Sequence, residues 1–498
     1  MNKIVSYSNV LAGSLLIAGC AYLPSIGPDY KAPETPKKAS ALPDAGAPST
    51  NLTESCEYAA EAKENDRRFE VTDKEIADWW KRFNDPVLVE IIDMAVTNNL
   101  SYLIAVKHLE QSQYELLGSY AAFLPKFAAN GAWLRQWYHD NAASTGERYH
   151  QNAQQATLDG NWEIDIFGGS RRQSESALAM AEAAGWGVAD AWVSLTSQIG
   201  ESYVNLRTVQ TRIEVARTNL VLQSETYDIL KSRLDSGIGD ELAVNQCAYI
   251  VEQTRATIPT LLALEEKLKN ALAIQAGLQP GELHEKLRNV SERRDWLLAP
   301  QKLAEVPLNL LRERPDVKSA ERNLAALTAQ IGVAKSAWFP KFYISGTVGW
   351  KSTEKVKLFD GGSFFASLGP SVSWPIFQGG AIYANVKSIE AQTEAAALNY
   401  ALALQKAHGE VRDAYSAYTQ EYHRFKALGA AVKAATDAVT ISKDLYKNGL
   451  KDFNNVLDAQ RSRLQLEEQY VLSRGQITLD LIELYRALGG GIACVKVN

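Results

Sequence analysis

The chain has 498 residues, 46% hydrophobic and 22% charged, with a net charge of −6. That length suggests two to four domains, and the lack of a basic excess argues against a nucleic-acid partner. Four cysteines (Cys20, Cys56, Cys247, Cys494), six histidines and three methionines fall at no metal-ligand spacing and build no disulfide framework.

Lys3 precedes an apolar run, VLAGSLLIAG at 10–19, that ends at Cys20. A basic start, a short hydrophobic stretch and small residues at a cleavage point make a secretory signal over 1–19, too short to span a bilayer. The stretch IAGC resembles a bacterial lipobox, which implies cleavage before Cys20 and acylation of its thiol by a palmitate-type chain. An ordinary signal with an incidental cysteine is the alternative. Six of the sixteen prolines lie within 21–50 (Pro24, Pro28, Pro33, Pro36, Pro43, Pro48), so 20–78 reads as an extended tether. Folded structure is expected to begin near WWKRFNDPVLVEIIDMAV at 79–96.

From there the chain says everything twice. AAFLPKFAANGAW (121–133) returns as SAWFPKFYISGTVGW (336–350). WEIDIFGGSRRQSESALAMAEAA (162–184) returns as WPIFQGGAIYANVKSIEAQTEAA (374–396), and LKSRLDSGIGDELAVNQ (230–246) as DLYKNGLKDFNNVLDAQ (444–460). The shifts all lie near 210–215 positions, far beyond a solenoid period, so the unit is a whole structural half. The first repeat covers 79–277 and the second 316–488, with a linker at 278–315 and a tail at 489–498.

Each half has one plan. A helix (101–123, 316–338) ends at a proline that begins a strand (126–138, 341–351), and a second strand follows (156–167, 364–377). Ala156, Leu158, Gly160, Trp162, Ile164 and Ile166 alternate with Thr157, Asp159, Asn161, Glu163 and Asp165. Such period-two strands fit a soluble sandwich with a wet face or a membrane barrel with a lipid face. Long helices follow near 171–236 and 381–448, each about 100 Å. Gly237 and Gly449 cap them, and Asp240 and Asp452 are placed to start returning helices over about 240–277 and 452–488. No later stretch of 18 apolar residues occurs, so no transmembrane helix is expected.

Four strands cannot close a barrel, and open edges cannot face lipid. If the strands cross a membrane, several copies must contribute. Two would give eight strands and a filled interior, three would give twelve strands and a pore.

GPDYKAP (27–33), WWKRFNDPVL (79–88), LLRERPDVKSAERNLAALTAQIGVAKSAWFPKF (310–342), YKNGLKDFNNVLDAQRS (446–462) and LYRALGGG (484–491) resemble the outer-membrane factors of tripartite resistance-nodulation-division efflux pumps, in their lipoprotein branch. The resemblance covers nearly the whole mature chain. It implies an α+β membrane protein: a trimeric 12-stranded β-barrel, four strands per chain, continued by a long periplasmic α-helical barrel with a mixed equatorial domain. Ala21 after the cysteine favours the outer membrane by the same resemblance. The implied partners are two further copies, a periplasmic membrane-fusion adaptor, an inner-membrane transporter and outer-membrane lipid, with no cofactor or metal. The implied role is passive exit of drugs or other toxic small molecules, gated at the helix tips; a type I polypeptide exit channel is the alternative. Lys451 and Asn454 depart from the Asp or apolar residues common at those tips.

No nucleophile elbow, Walker loop or zinc signature is present, which disfavours a lipoprotein hydrolase. The candidate site residues are Asp240, Glu241, Lys451 and Asp452 at the hairpin turns, for gate or adaptor contact. Simple helix capping is the plainer role for the two aspartates. Asp159, Glu163 and Asp165 are the candidates for an acidic, pore-lining strand face that biases the channel toward cations.

Overall fold

The computed structural model describes residues 25–33, 78–139, 149–288, 311–353 and 357–490. Cys20, the signal segment, most of the tether, residues 289–310 of the linker and 491–498 of the tail lie outside them. In chain order the elements are α1 (Pro86–Asn98), α2 (Leu100–Tyr120), β1 (Lys126–Tyr138), β2 (Tyr149–Ile164), α3 (Gly169–Asp235), α4 (Glu241–Gln275), α5 (His284–Leu287), α6 (Pro315–Ser336), β3 (Lys341–Ser352), β4 (Phe364–Ser373), α7 (Ala381–Lys447) and α8 (Phe453–Ala487). Each half therefore runs helix, two strands, 67-residue helix, 35-residue helix. The duplication is one of structure as well as of sequence. The chain forms two compact units, with α2, α3, α6 and α7 contributing to both.

In the first unit β1 to β4 make one antiparallel sheet in sequence order. Alternation fixes its two faces, and the register aligns them: Asp159 opposes Thr347 and Ala128, while Leu158 opposes Val348 and Ala129. One face collects Phe127, Leu158, Trp162, Ile344, Val348 and Leu368. A tryptophan ties the sheet to the preceding helix identically in each half: Trp162 Nε1 donates to the Phe123 carbonyl (2.9 Å) and Trp374 Nε1 to that of Trp338 (3.0 Å). Three strand boundaries differ from the expected ones by more than one residue. β2 starts at Tyr149, not 156, because 149–155 lack apolar alternation yet pair with 132–138 of β1. It stops at Ile164, and β4 at Ser373, short of the predicted 167 and 377.

Residues 25–33 lie along α3 and α6 in the same unit. Ile26 N donates to the Phe167 carbonyl, and buried Arg172 donates to the carbonyls of Ile26 and Gly27 and to Asp29 (2.5 Å). A Cβ on Gly27 would stand 2.5 Å from the Gly332 Cα, so the contact admits no side chain. Tyr30 packs on the Ala179, Ala325 and Ala326 cluster and donates to Glu321. The alanines of this cluster let α3 and α6 approach closely.

The second unit is built around WWKRF at 79–83. Trp79, fully buried, stacks on Tyr485 (6.0 Å between centroids) and meets Trp80 and Phe83 edge-on. Asp85 caps α1 through Val87 N and accepts from the Tyr203 hydroxyl (2.8 Å). Pro86 at the first helical position needs no hydrogen-bond partner for its nitrogen. Leu88, Ile91, Ile92 and Ala95 then bury one stripe at helical spacing. Arg314, 6% exposed, donates to Asp316 (2.8 and 3.0 Å), Glu410 (2.8 Å) and the Ala487 carbonyl (2.7 Å). Nearby, burial and then Asp316 push the Asp190 carboxyl above its ordinary range.

All four long-helix ends in this unit use one device. Gly237, Gly277, Gly449 and Gly489 sit at φ of 70–81°, the left-handed region that favours glycine. Each is followed by the 6→1 bond of a Schellman end: Ile238 N to Arg233 O, Leu278 N to Ala273 O, Leu450 N to Leu445 O and Gly490 N to Tyr485 O. Among the described residues no single helix is long and apolar enough to cross a membrane.

Candidate functional site: the polar strand face and the helix turns

Asp159 stands mid-strand on the polar face of the sheet. Its carboxylate accepts from Asn130 Nδ2 on β1 (2.6 Å), Thr157 Oγ1 on its own strand (3.1 Å) and Thr347 Oγ1 on β3 (2.7 Å). Three strands thereby lock one rotamer, and all three donors are neutral. Glu163, four residues on, is paired with Lys341 Nζ (3.1 Å). Asp165 does not belong to this face. It lies past the end of β2, is 8% exposed, and its carboxylate accepts from Arg171 N (2.9 Å), with Arg171 Nε at 3.4 Å. The alternation that suggested otherwise breaks where the chain turns into α3, and a buried carboxylate there satisfies an open N–H of the helix start.

The face is not simply acidic either. Register carries Lys126 (opposite Asn161), Lys341 (opposite Ser373) and Lys351 (opposite Gln155) to the same side as Asp159. Alternation along β3 already sets Lys351 on the side opposite Phe342, Ile344, Val348 and Trp350; that Lys126 and Lys341 share a side with Asp159 follows from the register.

The two helix turns, SGIGDEL (236–242) and NGLKDFN (448–454), belong to the second unit. Asp240 is an N-cap, its carboxylate accepting from Leu242 N (3.0 Å). Asp452 occupies the same place before α8 but makes no side-chain bond to the helix start. Glu241, Lys451 and Asp452 are exposed. So one aspartate is used as a cap, and the other keeps its carboxylate free of that task.

The charged residues are not what joins the turns. Leu230, Ala243, Val244, Cys247, Ile250, Phe453, Val456 and Leu457 form one buried cluster drawn from both hairpins, with Tyr227, Leu234 and Tyr446 against it. The Arg233 guanidinium lies over the Tyr446 ring (5.2 Å), and Tyr446 meets Phe453 edge-on (5.2 Å). Burial pushes the Cys247 thiol up to about 11, so it acts as a small apolar residue. The signal was present in the sequence: 243, 244, 247, 250 and 453, 456, 457 repeat the same helical spacing after each turn. Among the described residues no group of His, Cys, Asp and Glu is placed to hold a metal.

One sheet, apolar on one side and polar on the other, with two strands from each repeat, fits a bacterial outer-membrane protein, where lipid meets one face and water the other. The chain belongs to the Outer membrane efflux protein family, whose profile matches residues 91–274 and 306–490, once in each half. It is 29% identical over 487 residues to nodulation protein T of Rhizobium leguminosarum bv. viciae, covering 97% of this chain and 93% of that one. It is 29% identical over 424 residues to outer membrane protein OprJ of Pseudomonas aeruginosa, covering 83% and 86%. Among solved structures it is similar to the outer-membrane channel OprN, with a TM-score of 0.81 and 29% identity over 94% of this chain and 99% of that one. The resemblance drawn from the motifs to outer-membrane factors of efflux pumps holds, and with it the place of the protein: the bacterial outer membrane, extending into the periplasm.

Proposed function

We propose that three copies of the chain close their sheets into a twelve-stranded barrel that is the exit of a tripartite efflux pump, passively conducting drugs or other toxic small molecules. The observation that carries this reading is the sheet itself: among the described residues, four strands, one apolar face, and β1 and β4 as edges without a partner strand. Unpaired backbone groups cost several kcal/mol each in hydrocarbon, so β4 of one copy must pair with β1 of the next. In this reading a periplasmic adaptor joins the channel to an inner-membrane resistance-nodulation-division transporter, which supplies the energy; the support is the likeness to outer-membrane proteins of efflux systems. Cys20, cleaved and acylated, anchors the mature N-terminus in lipid; the mass of the mature N-terminal peptide checks this, and an unmodified Cys20 would remove the anchor.

The gate of this channel is at the helix turns, where Lys451 and Asp452 offer opposite charges to a neighbouring hairpin or to the adaptor. Exposed pairs of this kind contribute about 0.2–1 kcal/mol, so three copies bias a closed state that a partner can open. Purified protein is expected to run as a trimer in detergent and to give small conductance steps in planar bilayers. Replacing Lys451 and Asp452 together with alanine is expected to enlarge the steps while the trimer stays as stable as before. A monomer that keeps its strands, or a double variant as tightly shut as wild type, would remove the trimeric barrel or this gate respectively.

A further inference from the structure

The strands hold six residues of fixed charge: Lys126, Arg135, Asp159, Glu163, Lys341 and Lys351. Register puts all but Arg135 on the polar face; Arg135 shares the other face with Trp137, over whose ring its guanidinium lies (5.5 Å). The five polar-face charges are unevenly spread. Glu163 is in contact with Lys341 and is cancelled by it. Lys126 and Lys351 are exposed, with no carboxylate opposite either in the register. Asp159 is the one carboxylate whose three hydrogen-bond donors are all uncharged.

We infer that Asp159 is the charge-selecting residue of the barrel, the single anion that keeps a lysine-lined passage open to cationic solutes. The inference rests on the proposal that the polar face lines the lumen of a closed barrel. The arithmetic per chain is three lysines against two carboxylates, so loss of Asp159 leaves three against one.

Distance decides whether one row can act on its own. Rows on one face are two residues apart, about 7 Å along a strand, so Lys126 is one row from Asp159 and Lys351 is two rows, about 14 Å. At 0.1 M salt the screening length is about 10 Å. Lys351 is therefore largely screened from an ion at the Asp159 level, and Lys126 only in part. An ion at that level feels Asp159 first. Three copies would make a ring of three carboxylates, each fixed by donors from three strands. Rings of fixed carboxylates favour cations.

The experiment is a reversal-potential measurement on the reconstituted full-length protein across a potassium chloride gradient at or below 0.1 M. Asp159→Asn, which keeps the size and one acceptor oxygen for Asn130 and Thr157 while its amide nitrogen donates to the Thr347 hydroxyl oxygen, is expected to lower the potassium-to-chloride permeability ratio several-fold. The double variant Glu163→Gln with Lys341→Met removes a cancelled pair and is expected to leave the ratio at the wild-type value. An Asp159→Asn channel with unchanged ratio overturns the inference, as does a double variant that shifts the ratio as much as Asp159→Asn. A labelling pair separates this from the reading it rests on. A water-soluble, membrane-impermeant thiol reagent is expected to label Asp159→Cys and not Leu158→Cys in intact outer membranes. The reverse pattern overturns the lumen assignment, and the inference with it. The expected pattern with an unmoved ratio overturns the inference alone.

Discussion

Arg314→Met is expected to cost about 3 kcal/mol of stability, seen as an earlier midpoint in guanidinium unfolding of the solubilised protein followed by tryptophan fluorescence. The side chain reaches four acceptors: both oxygens of Asp316, one of Glu410 and the carbonyl of Ala487. Breaking a buried ionic cluster from one side costs about 3–5 kcal/mol, because the partners keep their charge and lose its match. The lower end applies, since Asp316 and Glu410 are each 37% exposed and water recovers part of the loss. The end of α8 is the part expected to fray first, since Arg314 holds the carbonyl of its final residue. Asp190 sharpens the effect. Its carboxyl already titrates high through burial and the field of Asp316, and Arg314 is the first charge that opposes this. If Arg314→Met unfolds with the wild-type midpoint, the network is surface decoration and the second unit is held by its aromatic core.

Much of this fold was legible in the chain because its signals are periodic and repeated. The caps at Gly237 and Gly449, the Asp240 N-cap and the long proline-free helices follow from local chemistry that needs no distant partner. The echo at 121–133 and 336–350 converted weak strand signals into two strong ones. The missed parts depend on partners far away in sequence. Tyr149 to Gln155 become strand only because 132–138 offer a ladder. Asp165 follows the alternation of its neighbours, yet its carboxylate belongs to a helix that the alternation does not describe. Lys126 and Lys341 reach Asp159's face through a register that no single strand reveals. At the turns, charge drew attention to Lys451 and Asp452, whereas the contacts that join the two hairpins are those of Phe453, Tyr446 and Cys247.

That last contrast sets the second large effect. Phe453 opens α8, is 6% exposed, and lies in the cluster shared by both turns. Truncating a buried phenylalanine to alanine costs about 3–5 kcal/mol. Here the loss falls on a small satellite cluster that binds one hairpin end to the other, so it is expected to appear as local opening before global unfolding. Phe453→Ala should make the 448–452 turn a site of rapid proteolysis and raise the frequency of open events in planar bilayers, with a matching gain in sensitivity to large antibiotics in cells. Phe453→Leu, which retains most of the apolar volume, should sit near wild type in both assays. The alanine variant is also expected to exceed the Lys451 and Asp452 double variant, because exposed charges contribute tenths of a kcal/mol where the ring contributes several. If Phe453→Ala opens no more often than wild type while proteolysis at the turn rises, the two hairpins move independently and the closed state is held by contacts between copies.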